Sequence, residues 1–196
     1  MPLEPHPSFA RLRRAVERCL PSAGPFRGTV FRSVTPRYAT SSDLLSGQGA
    51  RKHGERWNPP ASFATVYTSL TPETALAETL AHYRHYRIPE SQAMPRVFVA
   101  ISVSLERVLD LTVGGVRHAL GVSLVRMRRE AWRRAQSAGR EALTQAIGRA
   151  AFEAGLEGLV VPSGPDAAGK NLVVFPASLR RQSRVVVDRD YLLKPS

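Results

Sequence analysis

The chain has 196 residues, of which 43% are apolar and 22% are charged, proportions typical of a single globular domain. No run approaches the roughly 18 consecutive apolar residues that a membrane-spanning helix needs. Arg11, Arg13 and Arg14 are not followed by a long apolar segment, so we expect no signal peptide and a cytoplasmic location. The lone Cys19 lies in a helical pattern and is expected to be a buried, small apolar residue.

The formal net charge is +12, and arginine supplies 25 of the 28 basic residues. Three interpretations of this bias stay open: a general basic composition related to the coding gene, attraction to an acidic protein or an anionic ligand, and nucleic-acid binding. No recognition helix or platform of stacking aromatic residues is readable in the sequence, which argues against direct nucleic-acid binding.

In the first half of the chain, apolar residues at helical spacing predict a helix over residues 8–20, and a strand follows over 28–34. Residues 36–62 show no periodicity and contain several glycines and prolines. We interpret them as a long irregular loop, of the kind that is usually functional or disordered. A strand is predicted over 62–69. A helix then begins after Thr71, which can cap it, with a proline at the first helical position.

The second half of the chain is predicted to contain two helices, over 123–137 and 140–154, separated by Gly139. Apolar runs predict strands over 96–104, 157–164, 170–176 and 183–192. Strands and helices alternate irregularly, without the steady strand–helix order of a doubly wound sheet. The sequence therefore predicts a single-domain α+β fold, with a mixed, partly antiparallel sheet and flanking helices.

Three residues with useful chemistry, Arg56, Tyr67 and Glu78, are spaced at equal steps of eleven. They fall in a loop, a strand and a helix, so no single element explains their spacing. A guanidinium binds phosphate oxygens in a forked geometry, a tyrosine ring stacks on a flat heterocycle, and a carboxylate beside an apolar helix stripe can reach a ligand in a cleft. Arg32, which leaves the preceding strand, is a candidate second cation. A surface arginine, a core tyrosine and a solvent-facing glutamate are the structural alternatives.

Other candidate motifs argue against familiar enzyme classes. Ser163 ends the run LVVPSG without the frame of a serine hydrolase, and a turn serine is its structural alternative. His82 and His85 lie three residues apart but no metal-binding motif accompanies them, so we expect no metal site. The segment GPDAAGK has the glycine spacing of a phosphate loop. Asn171 replaces the required hydroxyl residue and no helix follows, which excludes a P-loop NTPase.

Together these motifs resemble those of the RES domain family. The resemblance is carried by VFR with Arg32, ERWNPP with Arg56, VYTSLTPETALAE with Tyr67 and Glu78, VPSG with Ser163, and KNLVVFP with Asn171. It covers residues 26–190, which leaves 1–25 as an N-terminal helical extension and 191–196 as a C-terminal tail. Ser33 stands where many members have an aromatic residue, so no stacking role is expected there.

The resemblance implies a fold similar to that of ADP-ribosyltransferases and an enzyme that consumes NAD as its substrate, without a further cofactor. It also implies the toxin of a toxin–antitoxin pair. Its partner would be a helix-turn-helix antitoxin that plugs the active site and provides the only route to nucleic acid. Self-association is possible, but no feature of the sequence specifies the number of copies.

The resemblance also implies roles for the candidate residues. Catalysis is expected from Glu78, Arg56 and Tyr67, and substrate binding from Arg32, Ser163 and Asn171. The bond between nicotinamide and ribose breaks through an oxocarbenium-like state, which a carboxylate stabilises, and nicotinamide leaves as a neutral base. The favoured acceptor is water or inorganic phosphate, the phosphate held by Arg32, Arg37 or Arg51, and a protein side chain is the alternative. Glu73 lies at a helix start and is a poor second carboxylate for protein modification.

Overall fold

Six strands form one mixed sheet in the computed structural model, which describes residues 3–188. The strands are β1 (Gly24–Val34), β2 (Val66–Ser69), β3 (Val97–Asp110), β4 (Gly158–Pro162), β5 (Lys170–Val174) and β6 (Arg184–Val187). The helices are α1 (Phe9–Cys19), α2 (Ser41–Leu45), α3 (Gln48–His53), α4 (Pro72–His85), α5 (Gly114–Leu120), α6 (Leu124–Arg129), α7 (Trp132–Ser137) and α8 (Leu143–Glu153).

Five of these strands pair in a closed circuit. β1 pairs antiparallel with both β2 and β3, β2 pairs antiparallel with β5, and β5 pairs antiparallel with β4. The parallel pair β3–β4 closes the circuit, and β6 pairs antiparallel with β3. The predicted α+β fold with a mixed, partly antiparallel sheet is confirmed.

Two apolar clusters lie on opposite faces of β4 and β5. Leu159 and Val161 pack with α1, α5 and α8, whereas Val160 packs with apolar residues of β1, β3 and β6. Alternate residues of a strand point to opposite faces, so a strand with both faces covered is apolar throughout. This explains why the run GLVVP is completely buried.

Most predicted elements are confirmed, with shifted ends. The helix over 8–20 is α1, and its Cys19 is buried as expected. In α4, Thr71 accepts a hydrogen bond from the backbone of Thr74 at 3.1 Å, which confirms the predicted cap. The strand predicted over 183–192 is observed as β6, and residues 189–192 of that prediction lie outside the described part of the chain.

Two predictions were wrong, and one helix was not predicted. The loop predicted over 36–62 contains α2 and α3, which are too short to show helical periodicity. The helix predicted over 123–137 is two helices, α6 and α7, with a break at residues 130–131. Helix α5 was not predicted, because its run GGVRHAL begins with two glycines that disfavour a helix.

The boundary proposed at residue 25 cuts off a helix that packs into the main core. Leu12, Ala15 and Val16 of α1 are fully buried and belong to the same apolar cluster as α8. Division of the chain into an extension, a domain and a tail stays a prediction. Within residues 3–188, no helix is long and apolar enough to cross a membrane.

A buried carboxylate, that of Glu157, joins three segments next to β4. Its Oε2 accepts hydrogen bonds from the backbone N–H groups of Glu106 (2.5 Å) and Arg107 (2.8 Å). Its Oε1 accepts from the Arg180 N–H at 2.7 Å and from the Ser183 hydroxyl. Burial raises the pKa of this carboxyl, but the four hydrogen bonds outweigh burial and leave its pKa below the ordinary value.

We predict that Glu157→Gln lowers the free energy of unfolding by about 1–3 kcal/mol, because either orientation of the amide sets its NH₂ group against N–H or O–H donors. The measurement is urea denaturation at neutral pH. Glu17→Gln is the matched control, since Glu17 is 48% exposed and forms only a surface ion pair.

The lowered pKa of Glu157 also predicts how the difference in stability between the wild type and Glu157→Gln changes with pH. A carboxyl group with a lowered folded-state pKa stabilises the fold above its unfolded-state pKa, and this stabilisation is lost as pH falls through the folded-state pKa. The difference in stability between the wild type and Glu157→Gln should therefore shrink in acid. A difference that stays constant down to the folded-state pKa would contradict this account.

Candidate active site

A pocket of about 330 Å³ opens between α4, the loop before β2, helices α6 and α7, and the turn after β4. Its walls include the side chains of Arg56, Tyr67, Glu78 and Asn171, four of the six residues predicted for the site. The other residues that line it are Glu55, Trp57, Ala81, His82, Arg128, Trp132, Arg133, Pro162, Gly164 and Pro165.

The carboxylate of Glu78 is held through one of its two oxygens. Oε1 accepts hydrogen bonds from the Ser163 hydroxyl (2.7 Å), the Asn171 amide (2.7 Å) and the backbone N–H of Gly164 (3.3 Å). Within residues 3–188, Oε2 accepts no hydrogen bond. The side chain is therefore fixed in direction, and one oxygen stays available to a ligand in the pocket.

Ser163 and Asn171 act on this carboxylate from the ends of two strands. Ser163 is fully buried, and besides donating to Glu78 it accepts from the backbone of Asp166 at 3.2 Å. Asn171 lines the pocket, and its Oδ1 accepts from the Ser69 hydroxyl at 2.7 Å. The geometry favours a positioning role for Ser163 and allows Asn171 both to position Glu78 and to contact a ligand.

The loop that carries Arg56 is seated on the backbone of α8. Gly148 has no room for a side chain, because a Cβ atom there would overlap the carbonyl group of Trp57. Gln145, one turn earlier in α8, donates from its amide to the carbonyl groups of Glu55 (3.1 Å) and Asn58 (3.4 Å). The loop is therefore anchored to α8 at residues 55, 57 and 58.

Tyr67 fixes the same loop through its hydroxyl. The hydroxyl accepts from the backbone N–H of Trp57 at 2.8 Å and donates to Oδ1 of Asn58 at 2.9 Å. Burial, followed by the charge of Glu55, raises the pKa of Tyr67 well above its ordinary value. The phenol therefore stays neutral, and its ring is the part of the side chain that is left for a ligand.

Arg56 joins the loop to the opposite wall of the pocket. Its Nη1 donates to the carbonyl groups of Met127 (2.9 Å) and Glu130 (3.3 Å). Burial lowers its pKa, whereas the charge of Glu78 raises it, and a guanidinium stays charged under such conditions. Its Nη2 would lie 3.3 Å from a Cβ atom at Gly164, so the absence of a side chain there keeps this end of the guanidinium accessible.

Arg32 does not line the pocket. It lies on β1, and its guanidinium donates to the carbonyl group of Leu44 in α2. Burial lowers its pKa. Its role in substrate binding stays a prediction. Ser33, beside it, accepts from Arg96 through both its hydroxyl (3.2 Å) and its carbonyl group (2.7 Å).

Sequence reasoning did not find several residues of the pocket and its support. These are Glu55, Trp57, Asn58, His82, Arg128, Trp132, Arg133 and Gln145. The first three lie inside the motif ERWNPP, so their proximity to Arg56 was a usable signal. Arg128 and Arg133 had no signal, because they are two arginines among 25 in the chain. The carboxyl of Glu55 has its pKa raised by burial, against the charges of Arg133 and Arg56.

We predict that Tyr67→Phe lowers the free energy of unfolding by about 1–3 kcal/mol, because the backbone N–H of Trp57 and the side-chain Oδ1 of Asn58 both lose their partner. Denaturation in urea measures this loss. Tyr38→Phe is the control, since Tyr38 is 53% exposed. Equal stability of Tyr67→Phe and the wild type would mean that the hydroxyl does not hold the loop.

Comparisons with known proteins agree with this architecture. A family model described as the RES domain matches residues 29–194. The chain is 30% identical over 152 residues to the NAD(+) phosphorylase MbcT of Mycobacterium bovis and to that of Mycobacterium tuberculosis, which covers 76% of this chain and 75% of each relative. A chain in the crystal structure of the M. tuberculosis MbcT–MbcA toxin–antitoxin complex has the same fold, with a TM-score of 0.70 and 22% identity over 91% of both chains.

Proposed function

Since this chain belongs to the RES domain family, we propose that it is an NAD-consuming enzyme that cleaves the bond between nicotinamide and ribose, with phosphate or water as the acceptor. The observation that carries the proposal is the carboxylate of Glu78, which lies in a pocket shared with Arg56 and Tyr67. Three donors hold one of its oxygens, and the other accepts no hydrogen bond from the described residues. The name of the relatives, NAD(+) phosphorylase, agrees with this chemistry.

Glu78 would act on the positive charge that develops on the ribose. As the glycosidic bond breaks, the ring oxygen and the anomeric carbon share a cationic charge, which a nearby carboxylate stabilises. Hydrogen bonds to Oε1 keep the carboxylate in place, so little reorganisation is needed when the charge appears. Nicotinamide leaves as a neutral base, and no strong general acid is therefore needed in the pocket.

The other predicted residues would hold the substrate. Arg56 presents a fixed cation that matches phosphate oxygens, and the ring of Tyr67 offers a flat apolar surface. Asn171 donates from its side-chain amide to Glu78 at the pocket wall. A ribose hydroxyl in the pocket would be able to contact the same amide. A cytoplasmic location is part of the proposal, because NAD is available there and a thiol such as that of Cys19 stays reduced.

We predict that Glu78→Gln lowers the rate of nicotinamide release from NAD about 100-fold or more, because the negative charge next to the ribose is lost. The amide oxygen of glutamine can still accept from Ser163 and Asn171, so the fold should be retained. Glu73→Gln is the matched control, as Glu73 lies on the exposed first turn of the same helix.

The products distinguish the possible acceptors. Free ADP-ribose indicates water, a phosphorylated ADP-ribose formed only in phosphate buffer indicates phosphorolysis, and an ADP-ribose adduct on a protein indicates transfer to protein. Full activity of Glu78→Gln would refute the role of this carboxylate. Intact NAD at high enzyme concentration, in both water and phosphate, would refute the proposed function.

We further propose that the protein is a toxin with a cognate antitoxin that covers the pocket. The fold is shared with a chain of a solved toxin–antitoxin complex. One large side chain, Tyr86, is 55% exposed beside the pocket, and its ring centroid lies 4.8 Å from that of the pocket residue His82. An exposed apolar side chain beside a charged cleft is a suitable contact for a protein partner.

Co-expression with the neighbouring gene tests this pairing. Expression of the wild type alone should arrest growth and lower cellular NAD, and the neighbouring product should reverse both effects because it blocks access to the pocket. Glu78→Gln expressed alone is the control and should be harmless. Copurification of the two proteins without any recovery of NAD would contradict an inhibitory role for the partner.

A further inference from the structure

Three arginines line the pocket, and they differ in how much of their hydrogen-bonding capacity is already used. Arg56 donates to two carbonyl groups, and Arg128 donates to the carbonyl group of Ala167 at 2.5 Å. Arg133 makes no hydrogen bond within residues 3–188, and its buried Nε has no partner. Its closest anionic contact is long, at 3.9 Å between Nη2 and Oε2 of Glu55. Arg133 is therefore the pocket cation with the most donors to offer.

The guanidinium of Arg133 is nevertheless held in a defined orientation. Its Cζ lies 4.1 Å from the ring centroid of the buried Trp132 and 6.0 Å from that of Tyr86. Contact with an aromatic face fixes the plane of a guanidinium and leaves free the edge that carries its two Nη groups. Such an edge binds two oxygens of a phosphate in a forked geometry.

The position of Arg133 relative to Glu78 suits an acceptor. Arg133 and Glu78 line the same pocket, together with His82, which lies one helical turn after Glu78 in α4. Both side chains lie near Tyr86: the ring centroids of His82 and Tyr86 are 4.8 Å apart, and Cζ of Arg133 lies 6.0 Å from the Tyr86 ring centroid. Arg37 and Arg51, candidates from the sequence for a phosphate site, do not line the pocket.

We propose that Arg133 binds the inorganic phosphate that attacks the ribose of NAD, an assignment that rests on the proposed function. A phosphate oxygen forms a bond to the anomeric carbon, and the bond from that carbon to nicotinamide breaks. Nicotinamide leaves with the electron pair and is neutral, because its nitrogen was cationic in NAD. The attacking oxygen is already anionic, so no proton has to be removed from it.

Initial rates with varied phosphate and with varied NAD test the assignment. We expect Arg133→Met to raise the KM for phosphate about tenfold or more, since a charge-assisted forked contact is lost, and to leave the KM for NAD unchanged. Arg133→Lys keeps the positive charge but loses the forked geometry. Its KM for phosphate should lie between those of the wild type and Arg133→Met.

Arg134→Met is the matched control, because Arg134 is an exposed neighbour in α7 that does not line the pocket. A raised KM for NAD with an unchanged KM for phosphate would assign Arg133 to the diphosphate of NAD and overturn the proposal. A wild type that releases nicotinamide at a rate independent of phosphate would also overturn it while the proposed function stands. A wild type that leaves NAD intact in every buffer would overturn both. Circular dichroism and a thermal melt of each variant separate loss of folding from loss of binding.

Discussion

The hydrogen bonds that converge on Oε1 of Glu78 are the interaction on which the site depends. The donors Ser163 and Asn171 lie at facing ends of β4 and β5, so one oxygen atom joins helix α4 to the sheet. Asn171 in turn accepts from Ser69 at the end of β2, which continues the connection to a third strand. A change in strand register would move these donors and with them the carboxylate. The strand circuit is therefore a requirement of the chemistry as well as of stability.

The second wall of the pocket depends on a helix that is distant in sequence. The Arg56 loop rests on α8, where Gly148 permits backbone contact and Gln145 donates to two carbonyl groups of the loop. Arg56 then holds the carbonyl groups of residues 127 and 130, next to the two other pocket arginines. Backbone contacts thus position Arg56 in the pocket. Replacing Gly148 or Gln145 would therefore displace the guanidinium of Arg56, although neither residue touches it.

Local sequence patterns were sufficient to predict an element that is long and has regularly spaced apolar residues or clear start signals. Helix α1 has regularly spaced apolar residues, and α4 has Thr71 and Pro72 at its start, so both were recognised. Helices α2 and α3 have five and six residues, less than two turns, and such lengths give periodicity no chance to appear. Helix α2 is stabilised by the burial of Leu44, and burial is not visible in a local stretch of sequence.

By itself, the sequence determined the types of the long elements, the mixed class of the fold, and the motifs that carry Arg56, Tyr67 and Glu78. Only the tertiary structure decided that these three share a pocket from which Arg32 is absent, and that Arg133, among the pocket arginines, donates no hydrogen bond within residues 3–188. The physical reason is distance along the chain. Partners such as Glu78 and Ser163 are separated by 85 residues, and the contact arises from strand pairing and helix packing. Composition and periodicity describe a residue's neighbours in sequence, whereas a site is made of its neighbours in space.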